Sequence, residues 1–171
     1  MKHRLAAMAY VLAIGLASMG FPARAAVFDE ADTARLAGIT DAVQSFENDV
    51  GTALHNLSAD DSGEIESYAY VELNLQAAHE RLNNVFMLVA VSIFMESQSD
   101  QFLILDVLYW QILPPTRNYL NKKLDAIASM AAARPTSPVF AGYRSRADAL
   151  FRGRAIPFLD ELYERIAAAR R

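Results

Sequence analysis

Fifty consecutive residues, 64 to 113, contain neither glycine nor proline. These two residues are the strongest local punctuators of backbone structure, so the stretch must fold as long regular elements. One uninterrupted helix over it would reach about 75 Å at 1.5 Å per residue. The polar run ESQSDQ, residues 96 to 101, supplies the break: Ser97 with Asp100 three positions on resembles a capping box, with Asp in place of the usual Glu. The expectation is one helix from about 64 to 96 and another from about 99.

Periodicity carries the same reading outward. Leu36, Ile39, Val43, Phe46, Val50, Ala53 and Leu57 alternate steps of three and four, a heptad seam. Asp29, Glu30 and Asp32 fall at its start, where negative charge suits the helix dipole. SADDSG, 58 to 63, is turn chemistry. Tyr68, Val71, Leu75, Ala78, Leu82 and Val85 form the next stripe, with Glu66, Asn74, Glu80, Arg81 and Asn84 off it. From Val85 to Met95 the pattern turns apolar on every side except at Ser92. FLILDVLYWQIL, 102 to 113, is equally apolar around Asp106.

Pro114 and Pro115 then interrupt the third helix, because proline lacks the N–H and clashes with the preceding turn. The helix resumes with Leu120, Leu124, Ile127 and Met130 facing inward. ARPTSP, 133 to 138, is a connection in which Ser137 caps and Pro138 takes the first helical position. The last helix carries Phe140, Tyr143, Ala147, Leu150 and Phe151, weakens from Gly153 to Pro157, and resumes with Phe158, Leu159, Leu162, Tyr163 and Ile166. Four long helical segments joined by short turns predict an all-α, up-down-up-down four-helix-bundle-like domain. The rival is a β-hairpin of 85–95 and 102–113, since Val, Ile, Phe, Tyr and Trp favour strands. The stripe that runs into 85 without a breaker favours helix.

The first 25 residues read as a segment to be removed. MKHR is basic, LAAMAYVLAIGLASMGF is apolar, and PARAA offers an A-x-A site at Ala23 and Ala25. That is the three-part pattern of a secretory signal peptide. It predicts a periplasmic or secreted mature chain, residues 26–171, folded as one domain. No later run reaches the roughly 18 apolar residues of a spanning helix. With no cysteine, the chain has no disulfide, no thiol nucleophile and no attachment point for covalent haem.

Charge is split. Without Lys2, Arg4 and Arg24 the chain holds thirteen basic and twenty acidic residues, net −7. Residues 26–116 carry fifteen acidic and two basic groups, and 117–171 carry eleven basic and five acidic. The acidic total argues against a nucleic-acid partner. The preferred reading is that the two halves lie against each other with attracting rims.

Motifs of chemistry are sparse. SADDSGEI has a calcium loop's glycine, but Ser58 stands where an Asp is wanted and Ala69 where a bidentate Glu is needed. There is no G-x-S-x-G, H-E-x-x-H or Gly-rich phosphate loop. His55 falls off the seam, and His79 stands with Glu72 and Glu80 nearby in sequence, which is no metal-binding signature. Met87, Met95 and Met130 read as core fillers rather than haem ligands. Asp106 shares a seven-residue row with Leu113, Leu120 and Ile127, which predicts a buried carboxylate paired with Arg144, Arg146, Arg152 or Arg154.

What remains is an apolar end formed by Phe86, Val89, Ile93, Phe94, Phe102, Leu105, Tyr109 and Trp110. A helix apolar on all sides is central or covered. The cover is either the irregular segments at Pro114 and Gly153–Pro157, a second copy or periplasmic partner, or a lipid or small apolar ligand. The expectation is a non-enzymatic binding or adaptor protein, with no metal site and no cofactor assigned. The alternative is a carrier of a non-covalent cofactor, metal or apolar ligand through His79, Met87 or Glu72.

Overall fold

The computed structural model of the protein describes residues 27–58, 61–95 and 97–170; the predicted leader lies outside them. Helix α1 is Glu30–His55, α2 Ser62–Ile93, α3 Gln98–Val107, α4 Leu113–Ala133, α5 Pro138–Leu150 and α6 Ile156–Ala169. Helix α3 passes into α4 through a π turn, Leu108–Ile112, and α5 into α6 through a second, Phe151–Ala155. The result is four long rods, and the predicted all-α bundle holds. No strand occurs among the described residues, and the segments weighed as a hairpin are helical.

Each boundary has a local cause. The Asp29 carboxylate accepts from the Asp32 N–H at 3.0 Å, and the Asp32 carboxylate accepts from the Asp29 N–H at 2.9 Å. This reciprocal cap satisfies two donors that the first turn leaves open. In the turn after α1, the Asp61 carboxylate accepts from the Ser58 N–H and hydroxyl, at 3.1 and 2.8 Å. At the α2–α3 turn, Ser97 accepts from the Asp100 N–H, loosely, at 3.5 Å. Ser137 occupies the N-cap of α5 beside Pro138, but its hydroxyl makes no capping bond.

The prolines do not stop their helices. The π turns end two positions before Pro114 and Pro157, and between them the N–H of Leu113 reaches Leu108 O and that of Ile156 reaches Phe151 O. An ordinary turn would drive the proline ring into the carbonyl four residues back. A five-residue turn moves that carbonyl away and keeps the rod continuous.

Helix α1 packs along α2, α2 against α4, and α4 against α5 and α6; α5 and the second π turn close back on α1. The predicted stripes form the core: Leu36, Ile39, Val43, Phe46 and Val50 from α1; Tyr68 through Val85 and on to Val89 from α2; Leu120, Leu124 and Ile127 from α4; Phe140, Phe158, Leu162 and Ile166 from the last rod. Asn74 departs from expectation. It is buried, and its amide donates to Tyr70 O at 2.7 Å, so a polar residue inside the seam is satisfied by its own helix.

The charge split is resolved mainly between the rods. Arg165 of α6 sits 2.6 Å from Asp32, whose side chain is only 7% exposed, and Arg146 of α5 donates to Asp49 at 2.7 Å. Arg134 at the end of α4 donates to Gly63 O at 2.5 Å, tying α4 to the start of α2. Arg35 and Glu161 pair in the opposite sense at 2.7 Å. Most of these pairs are half-exposed and individually weak. Asp32 is the exception, because it both caps α1 and faces Arg165.

Burial pushes the Tyr143 hydroxyl up to about 12, helped by Tyr68 and Asp49 beside it. Tyr143 stands edge-on to Tyr68 and Phe140, with ring centroids 5.9 Å apart in each case.

Two outcomes are expected. Asp32→Ala should lower stability in urea by about 2 kcal/mol: roughly 1 from the hydrogen bond its carboxylate accepts from the Asp29 N–H and roughly 1 from the lost partner of Arg165. The raised Tyr143 value stabilises the fold fully below pH 10 and is lost as pH rises through about 12. Tyr143→Phe should therefore flatten that alkaline decline when unfolding is followed by circular dichroism from pH 9 upward.

Candidate functional site

The sequence nominates the apolar end around the α2–α3 turn, and the structure divides those eight residues. Val89 and Leu105 are buried core. Phe86, Ile93 and Tyr109 are half-buried and packed against it. Phe94, Phe102 and Trp110 are 43%, 45% and 64% exposed. Three further exposed residues belong with them: Met87, Val91 and Leu103, the last at 64%. Helix geometry explains the division. A helix in a four-rod bundle has an outer face, and a segment apolar all round must put apolar side chains on it. Val85, Val89 and Ser92 take the inner face of α2, which leaves Met87, Val91 and Phe94 opposite. The irregular segments expected to cover this end do not fold over it: the prolines sit inside continuous rods.

Trp110 is exposed but braced. Its ring meets Tyr109 edge-on at 4.7 Å, and Tyr109 stacks flat on Tyr163 of α6 at 4.4 Å. The Arg170 guanidinium lies 4.9 Å from the Tyr109 ring and 5.6 Å from that of Trp110, within cation–π range. A hydrogen bond with Tyr109, and then burial, raise the Tyr163 hydroxyl above its ordinary value. The first π turn carries both Tyr109 and Trp110, so the turn imposed by Pro114 presents this aromatic ledge.

Asp106 requires a correction. It is paired, but with Arg170 and not with the four arginines expected, and its side chain is 51% exposed. The row shared with Leu113, Leu120 and Ile127 assumed an unbroken 3.6-residue helix. The intervening π turn shifts the phase, so Asp106 faces out while Leu113 faces in.

The residues weighed as ligands do not converge. His79 Nδ1 lies 3.2 Å from Glu47 Oε2 across the α1–α2 contact, without hydrogen-bond alignment. Met87 lies two turns further on and is 48% exposed. Glu72 lies beside Gly51, where even a Cβ would approach its carboxylate to 2.5 Å. His55 is exposed. Among the described residues no three His, Cys, Asp or Glu side chains gather as a metal site.

A groove of about 910 Å³ runs between α4 and α5 over Ala128, Ala131 and Ala141, with Arg134, Arg144 and Arg152 at its rim. It is open and polar. Arg152 is held by Asp148 at 3.1 Å and faces Asp125 at 3.8 Å. No helix among the described residues is long and apolar enough to cross a membrane. No protein-family model matches the chain, and comparison with curated proteins and with solved structures returns no match.

The division between core and surface is directly measurable. Leu105→Ala should cost about 2–5 kcal/mol, as large-to-small core changes do. Trp110→Asp should cost only about 1 kcal/mol, the loss of its contacts with Tyr109 and Arg170. Both are read as chemical-denaturation midpoints.

Proposed function

We propose that the chain is exported to the periplasm by its N-terminal leader and works there as a non-enzymatic docking protein. Its working surface is the apolar end formed by Met87, Val91, Phe94, Phe102, Leu103 and Trp110. The observation that carries this reading is the exposure of six large apolar side chains from α2, its C-cap, α3 and the π turn that follows it. Contiguous apolar patches are uncommon on monomeric proteins and mark interaction sites. Trp and Tyr are favoured as interface anchors because they bring large area at low conformational cost. Trp110 is held by Tyr109 and Arg170 before any partner arrives, which lowers the ordering cost of binding.

The carrier reading has less behind it. His79 faces Glu47, Glu72 lies beside Gly51 and Met87 is exposed, and the groove between α4 and α5 is polar rather than an enclosed apolar chamber.

The test is photo-crosslinking in living cells. A photoreactive residue at Leu103 or Phe94 should give discrete protein adducts in the osmotic-shock fraction, on chains beginning at Ala26. The same residue at exposed Lys122 on α4 should give none. Equal labelling at all three positions, or none at the apolar end, overturns the docking reading. Retention of the protein in the cytoplasm overturns export.

A further inference from the structure

The outward face of α2 has a regularity of its own. Tyr70, Leu73, Ala77, Glu80, Asn84, Met87, Val91 and Phe94 follow one another in alternating steps of three and four. That is a second heptad row, lying opposite the buried row Tyr68, Val71, Leu75, Ala78, Leu82, Val85, Val89 and Ser92. Steps of three and four follow any straight face of a helix, but apolarity on an outward face does not: Tyr70, Leu73, Met87, Val91 and Phe94 on it are 39–62% exposed. The row runs about 36 Å from Tyr70 to Phe94 at 1.5 Å per residue. Sustained heptad rows are what a helix presents to another helix.

We infer that this row pairs antiparallel with the same row of a second copy, about a two-fold axis between Glu80 and Asn84. The inference rests on the docking reading above and names the partner. Self-complementarity is what a two-fold interface requires, and the order of residues supplies it. In this register Tyr70 meets the second copy's Phe94, Leu73 its Val91, Ala77 its Met87 and Glu80 its Asn84. Aromatic faces aromatic, a small residue faces a long flexible one, and each Asn84 amide donates to a Glu80 carboxylate. The polar pair occurs twice, related by the axis, so neither carboxylate is left facing apolar surface. A polar residue within a heptad row is a recognised device for fixing register. The parallel alternative sets Glu80 against Glu80, and like charges facing each other are unfavourable. A basic helix from another protein would answer Glu80 alone, whereas a second copy answers the row position by position from Tyr70 to Phe94.

Four measurements on the full mature chain decide it. Sedimentation equilibrium of wild type should show a dimer. Asn84→Glu, an exposed substitution that sets carboxylate against carboxylate twice, should weaken that dimer by about tenfold or more. Adding Glu80→Lys to Asn84→Glu should restore it, because the antiparallel register then pairs opposite charges, whereas a parallel register would not be rescued. The chain has no cysteine, so introduced thiols report cleanly. Mixing a Leu73→Cys chain with a Val91→Cys chain should give the mixed disulfide dimer in preference to either symmetric one.

A monomeric wild type, a dimer indifferent to Asn84→Glu, or symmetric disulfides in place of mixed ones overturns the pairing. The docking reading is judged separately. If adducts to a different protein form at Leu103 while wild type is monomeric, docking stands and self-pairing falls. If Trp110→Asp dissociates a dimer that Asn84→Glu leaves intact, the apolar end is again the interface and the α2 register is wrong.

Discussion

Burial of one row on α2 is the constraint around which the bundle is organised. From Tyr68 to Ser92 its residues are almost entirely withdrawn from solvent. Helices α1, α3 and α4 all pack on α2, and the last rod reaches the same core through α4 and α1. The row is long because nothing in residues 64–93 interrupts it. It works as a seam because side chains three and four apart share one face. Asn74 and Ser92 interrupt its apolarity without opening it. Each donates to a carbonyl of its own helix, at 2.7 Å in both cases, so the buried polar atoms carry no unpaired donor into the core.

The prolines shape what the seam leaves outside. A proline within a helix normally ends or kinks it, and two such breaks would have freed irregular chain to fold over the apolar end. The five-residue turns before Pro114 and Pro157 absorb the defect within the rods. Two consequences follow from that one adjustment. The end of the bundle around the α2–α3 turn stays uncovered, and Tyr109 and Trp110 sit on a widened turn against Tyr163 and Arg170 of α6. The acidic first half and basic second half then meet at Asp32–Arg165, Asp49–Arg146 and Asp106–Arg170. These contacts orient the rods more than they hold them together, since exposed pairs contribute little and the apolar core contributes much.

Much of this was legible in the residues alone. Heptad spacing identified the inner faces, and the polar runs at 58–63, 96–101 and 133–138 located the turns within a few residues. Those signals are local: a period, a cap, a breaker. Asp106 shows where local reasoning ends. Its predicted burial depended on counting 3.6 residues per turn through Leu113, and the π turn changed the count. The identity of its partner depended on where Arg170 ends up, sixty-four residues away.

The sequence by itself therefore determined the helices and their inner faces, because each is written in neighbouring residues. Tertiary structure decided which apolar residues of the 85–113 region are core and which are surface. Val89 and Val91 are chemically alike and two positions apart, yet one is fully buried and the other 39% exposed. An all-round apolar run carries no periodic signal to separate them. Only the positions of α1, α3 and α4 around α2, and the continuity of the proline-containing rods, leave one side of that run facing solvent.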